Sequence, residues 1–186
     1  PTIDLTVNFR GRRVTADSAG ELVETNVKKQ VKVNSVFQLA SKGVYHDGPF
    51  TNRGPLPPRA GQETTYTISW SVVNSSNEVG DAMVRAILPA YVKWLGAVSP
   101  DSEKVSFDDS RGEVAWDLGV VDAGRGLTSA AREVAFQIVF LPSLSQVGET
   151  PVLVTTPTLS GTDSFTHQIL TNTKRSVDIQ ITDDSR

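Results

Sequence analysis

Apolar and polar side chains alternate with period two over most of this chain, and Gly, Pro, Asn, Asp and Ser interrupt them at short intervals. That pattern predicts many antiparallel strands joined by turns, with almost no helix. The cleanest stretch is residues 64–73, where Tyr66, Ile68, Trp70 and Val72 share one side and Thr65, Thr67, Ser69 and Ser71 the other. Such alternation marks a half-buried strand. Residues 74–77 (Asn-Ser-Ser-Asn) then turn the chain. Further strands are expected at 82–88, stopped by Pro89, at 91–98 with Trp94 and Leu95, at 105–107 and at 113–118. Residues 108–112 read as a hairpin connection whose Gly112 can take a positive φ. Residues 133–141 are apolar on both sides, which predicts a central strand. Residues 151–156, 164–170 and 176–182 complete the series.

The first part of the chain behaves differently. Ile3, Leu5, Val7 and Phe9 alternate ahead of a turn expected at Gly11. From Val23 to Leu39 the odd positions keep one parity, through Thr25, Val27, Lys29, Val31, Val33, Ser35 and Phe37. A single strand of that length would stretch roughly 55 Å, beyond the usual range. The reading is a strand that leaves one module and enters the next, with a boundary near Asn34. Residues 1–34 are then the tail of a preceding β module, or an arm without partners in its own segment that donates a strand elsewhere. Residues 35–182 form the sandwich and 183–186 a polar tail. The Pro/Gly-rich stretch 48–61 is expected to run over the surface.

These elements imply an all-β chain whose core is Tyr66, Ile68, Trp70, Leu88, Trp94, Phe107, Val114, Trp116, Leu118, Phe136, Ile138 and Phe140. At 186 residues such a core is large enough to need no metal or disulfide. The chain has no cysteine, which excludes a disulfide framework, thiol catalysis and thiolate metal sites. Its formal net charge of −3 is no footprint for nucleic acid, and no apolar run reaches the roughly 20 residues of a membrane helix. Opening on Pro1 with no signal-like segment, it reads as a piece of something longer.

One succession of residues resembles a known family. Tyr66-Thr67-Ile68-Ser69-Trp70, Asn74, Leu88-Pro89, Phe107, then residues 112–119 (Gly-Glu-Val-Ala-Trp-Asp-Leu-Gly) and Ala123-Gly124 are similar to the conserved-repeat, immunoglobulin-like domains of bacterial and archaeal cell-surface proteins. The resemblance covers about residues 61–141 well and the rest loosely. It implies an immunoglobulin-like antiparallel β-sandwich, export and serial repetition along a stalk, and it implies no catalytic residues. Each landmark also has a plain physical account: the tryptophans fill the space between two sheets, and the glycines and prolines end strands.

Candidate chemistry is thin. Only His46 and His167 are present, and no nucleophile-elbow spacing accompanies them, so exposed loop histidines are the simpler reading. No phosphate-binding glycine motif occurs. Asp101/Glu103, Asp108/Asp109 and Asp183/Asp184 are loop carboxylates of the kind calcium uses, but none has the spaced ladder with a central glycine; Asp101, Asp108 and Asp109 stand as weak Ca2+ candidates. Because cysteine is absent, an intramolecular isopeptide bond between Lys42 and Asn172 is a further candidate. Asn74-Ser75-Ser76 matches a glycosylation sequon in a predicted turn, an incidental match in a bacterial protein.

The expectation is a non-catalytic structural module of an extracellular microbial surface protein, with no cofactor and with neighbouring modules or subunits as partners. Two rivals stand beside it. One is an adhesive module whose loops at 48–60 and 120–131 hold a glycan or protein ligand. The other is a filament subunit whose first 34 residues add a strand to a neighbour.

Overall fold

The computed structural model describes residues 1–15, 18–181 and 184. The chain divides into two compact units, Pro1–Asn34 and Ser35–Arg186.

The first unit is a two-stranded antiparallel ribbon of β1 (Thr2–Thr15) and β2 (Ser18–Lys32). Its ladder runs from Thr2 opposite Lys32 inward through Val7 opposite Val27 to Gly11 opposite Val23. Two expectations are corrected here. Gly11 lies inside a strand and not at a turn, and the arm finds its partner within its own segment. The long single parity of residues 23–39 also splits in two. Residues 33–36 leave the ladder, so β2 belongs to the ribbon while Phe37 and Leu39, still in phase, enter the core of the second unit.

The second unit is an immunoglobulin-like antiparallel β-sandwich. Its strands are β3 (Phe37–Val44), β4 (Thr64–Asn74), β5 (Val79–Ile87), β6 (Val92–Ser99), β7 (Lys104–Asp108), β8 (Glu113–Val121), β9 (Arg132–Phe140), β10 (Val152–Val154), β11 (Thr158–Asp163), β12 (Ile169–Thr173) and β13 (Val177–Asp178). One sheet has the order β3-β4-β9-β6, the other β12-β11-β5-β8-β7, and β10 pairs with β13 alone. The expected central strand, 133–141, is β9, held between β4 and β6.

Parity dictates the core. Tyr66, Ile68, Trp70 and Val72 of β4 and Val134, Phe136, Ile138 and Phe140 of β9 are buried, facing Val84, Val114, Trp116 and Leu159 of the other sheet. Trp70 meets Phe136 edge to face with ring centroids 4.9 Å apart, a preferred aromatic geometry. In β5 the buried set switches parity, from Val79 to Ala82, Val84 and Ala86. An irregularity in the ladder between Val79 and Ala82, with Asp81 at φ 50°, inserts the residue that makes this switch possible. Gly112 takes φ 65° in the β7–β8 hairpin, as expected, and a Cβ there would meet the Leu88 carbonyl oxygen at 2.9 Å.

Three sequence expectations change. Trp94 and Phe107 are only partly buried. They lie on β6 and β7, the outer strands of the two sheets, and close that side of the sandwich by stacking at 5.9 Å and 15°. Residues 164–168 are a turn, not the start of a strand. The Asp163 carboxylate accepts from the backbone N–H of Phe165 and Thr166, and His167 takes φ 59°. The strand at that place is β11, which precedes the turn, and β12, which follows it.

Candidate functional site

The sandwich has two poles, and the chain enters at one and leaves at the other. Ser35 begins the unit beside the start of β3, where Phe37 pairs with Asn74 at the end of β4. Asp163, opposite Val79, marks the same pole in the other sheet. At the far pole Val44 pairs with Thr67, Thr64 with Phe140 and Thr158 with Thr173. The last described residues run there, with Ile179 N–H donating to the Pro151 carbonyl.

Each pole is tied by a carboxylate. At the entry pole Asp163 is fully buried and accepts four hydrogen bonds: Ser35 N–H at 2.8 Å, Asn77 Nδ2 at 2.8 Å, Phe165 N–H at 2.9 Å and Thr166 N–H at 3.0 Å. Burial pushes its pKa up, but the bonds from Asn77, Ser35, Thr166 and Phe165 outweigh that and bring it down to about 2. Ser35 adds a second tie, since its Oγ accepts from Asn77 N–H at 2.6 Å. Buried Asn74 donates through Nδ2 to the carbonyls of Asn77, Val121 and Asp122. The same network occupies the nitrogen that a sequon glycan would modify.

At the exit pole the Asp184 carboxylate accepts from three consecutive backbone N–H groups, those of Tyr45, His46 and Asp47, at 2.8–3.0 Å. Burial raises its pKa, and these three bonds, with the nearby His46 side chain, lower it below the ordinary aspartate range. Successive N–H groups turned to one side form a natural anion cradle. Here the chain's own exit segment fills it. Beside it lies an open recess of about 700 Å³ bordered by His46, Pro57, Pro58, Glu149 and Ile179.

The predicted site residues do not converge on a chemistry. His46 sits at the exit pole and His167 in the entry-pole turn, so the sandwich holds them apart. Asp101 and Asp109 are exposed in the connections flanking β7, and Asp108 is exposed as its last residue. The Ser110 hydroxyl and then its N–H lower the pKa of Asp108 and occupy its Oδ1. Asp183 lies outside the described residues. Among the described residues no group of three or more acidic or histidine side chains gathers as a metal site would require. Lys42 is exposed on β3. Asn172 on β12 turns its Oδ1 to the Leu39 N–H at 3.1 Å, which ties the two sheets along that edge.

Both candidate recognition loops are tied to the sandwich. In 48–60, Asn52 Nδ2 donates to the Tyr45 carbonyl and Thr67 Oγ1, and Asn52 Oδ1 accepts from Gln137. In 120–131, Gly124 N–H donates to the Ser75 carbonyl, and Asn74 N–H to that of Arg125. On the opposite flank Glu103 joins the sheets. It accepts two bonds from Arg132 of β9, at 3.0 and 2.8 Å, and one from Trp116 Nε1 of β8 at 2.8 Å. Sequence reasoning missed Asp163 and Asn77, and it read Asp184 and Glu103 only as loop carboxylates, without the backbone cradle of the one or the Arg132 partner of the other. A signal for Asp163 was available, because Asp followed by a polar residue and a turn is an Asx-type pattern. Nothing local marks the others.

No family model and no curated protein sequence matches the chain. Among solved structures, the major pilin subunit BcpA of Bacillus cereus is similar in two crystal structures, one of BcpA and one of BcpA carrying D312A. Both share 12% identity and a TM-score of 0.44, covering 94% and 91% of this chain but 55% and 48% of the pilin. The chain thus spans about half the length of that protein. The GH20 exo-β-N-acetylglucosaminidase of Vibrio harveyi, as its inactive D437A mutant, matches at 9% identity and a TM-score of 0.39 over 75% of this chain and 17% of the enzyme.

Proposed function

We propose that the sandwich is a load-bearing, non-catalytic module of a microbial surface rod or fibre, set in series with neighbouring modules and working outside the cell. The observation that carries this reading is the placement of its two ends. Entry at Ser35 and exit near Ile181 lie at opposite poles, and each is secured by a carboxylate that gathers backbone N–H groups. Tension between the ends runs along the strands. The β3–β4 ladder, from Phe37–Asn74 to Val44–Thr67, is then loaded in shear, with its rungs sharing the force. A pull across the strands would instead open rungs one after another.

The tied loops support this reading over an adhesive one, because they spend polar groups on the sandwich. The filament reading by strand donation changes form, since β1 and β2 pair with each other and only the outer edges of the ribbon are left to add to a neighbour's sheet. Single-molecule pulling tests the proposal. Held at residues 35 and 181, the sandwich should resist several-fold more force than when held at 35 and 128, both at the entry pole. Equal or lower resistance end to end would overturn it.

A further inference from the structure

The ribbon leaves one whole face uncovered. Directly opposed residues of an antiparallel pair share a face, so Ile3, Leu5, Val7 and Phe9 of β1 lie beside Val31, Lys29, Val27 and Thr25 of β2, with Gly11 beside Val23. The seven apolar side chains in this set are each 40–55% exposed. The reverse face carries Asp4, Gln30, Lys28, Asn8, Asn26, Arg10 and Glu24, and is polar except for Leu22 opposite Arg12. An isolated two-stranded ribbon is marginal in water, and a contiguous apolar face of this extent on a soluble chain marks a contact surface.

We infer that this face is covered by the same face of a second copy of the chain, packed sheet to sheet about a two-fold axis. Area is the first argument. The seven side chains present about 600 Å² per copy, so pairing them removes up to about 1,200 Å² from water, a ceiling that reaches the lower edge of stable specific interfaces. The second is self-complementarity. An axis lying across the ribbon at the Val7–Val27 row reverses the strand direction and sets like strand on like strand. Val7 then meets Val7, Val27 meets Val27 and Phe9 meets Leu5. The bulky Ile3 meets Gly11, where a Cβ would find nothing within 4 Å. Lys29, the one charge on the face, meets Thr25 and not another lysine, and its long stem lets the ammonium reach the rim. The bulkiest end position therefore falls on the glycine notch, the other apolar positions meet apolar ones, and no like charges are opposed. The contact is isologous and closes as a dimer. It goes beyond the load-bearing role of the sandwich and does not depend on it.

Sedimentation of the full chain across the micromolar range tests this. The wild type should equilibrate between monomer and dimer. Val7→Asp, which buries a charge at the axis, should weaken association more than tenfold, while Asn8→Asp, next in sequence but on the polar face, should leave it within about twofold. Gly11→Leu supplies a second reading. Leucine suits a strand better than glycine, so it does not act by unfolding the ribbon, yet it fills the notch that receives Ile3 and should also weaken the dimer. A wild type that stays monomeric, one that grows past the dimer, or a Gly11→Leu or Val7→Asp chain that associates as the wild type does would overturn the inference.

Discussion

Replacing Asp163 by alanine should cost the sandwich about 4 kcal/mol. The carboxylate sits at zero exposure with four donors turned to it, and two of them, Ser35 N–H and Asn77 Nδ2, are themselves buried. A stranded buried donor costs about 1–3 kcal/mol, and the partly buried N–H groups of Phe165 and Thr166 cost less because water can reach them. For a domain of this size that is a fall in melting temperature of about 10–15 °C. Asp163→Asn should lose about 2–3 kcal/mol, since its amide presents donors to donors on the Ser35 and Asn77 side. The pH dependence follows from the depressed pKa. The folded value, about 2, lies below the ordinary 3.8, so the stabilisation is complete above pH 4. It is lost as the pH falls from 4 through 2 and amounts to about 2 kcal/mol. Urea unfolding at several pH values reads this directly. The gap between wild type and Asp163→Asn should narrow steadily below pH 4. An alanine variant within about 1 kcal/mol of wild type at pH 7, or a gap that does not change with pH, would refute the reasoning.

Two other substitutions probe the interior. The Tyr66 hydroxyl is buried with no hydrogen-bond partner, and burial, with Tyr45 nearby, pushes its pKa up. Tyr66→Phe should therefore raise stability by about 1 kcal/mol in thermal unfolding, and a loss of that size would reveal a partner for the hydroxyl. Glu103→Ala should cost about 2–3 kcal/mol by denaturant titration, because Arg132 loses a two-pronged partner and Trp116 Nε1–H its acceptor; a change below about 0.5 kcal/mol would mean that the pair is an ordinary surface contact.

The fold was legible because period-two burial depends on little besides local sequence. Tyr66 to Val72 and Phe136 to Phe140 announce two strands with inward faces, and both lie where that pattern puts them. What escaped was non-local. Whether residues 23–39 form one strand or two depends on Ser35 being captured by Asp163, 128 positions away. Trp94 and Phe107 read as core because size and parity are visible in a sequence, whereas lying on outer strands is a matter of topology. The strand misplaced at 164–170 failed for a local reason: the side chain of Asp163 competes with the ladder for backbone N–H groups. The poles were the least legible part. Asp184 gives no hint in sequence that it will cap Tyr45, His46 and Asp47, and the ribbon's partner strand was hidden until register set Val7 against Val27.

Entry and exit at opposite ends of the sandwich is the claim on which the mechanical role stands, and one distance tests it. The chain has no cysteine, so Val36→Cys and Gln180→Cys provide unique sites for a pair of spin labels. Gln180 borders recesses lined by Ser41, Lys42 and Gly43 and by His46, five or more residues along β3 from Val36, which at about 3.3 Å per residue sets an expected separation of about 20 Å. A narrow distribution there is the predicted result. A distance near 10 Å would place both ends at one pole and contradict the account.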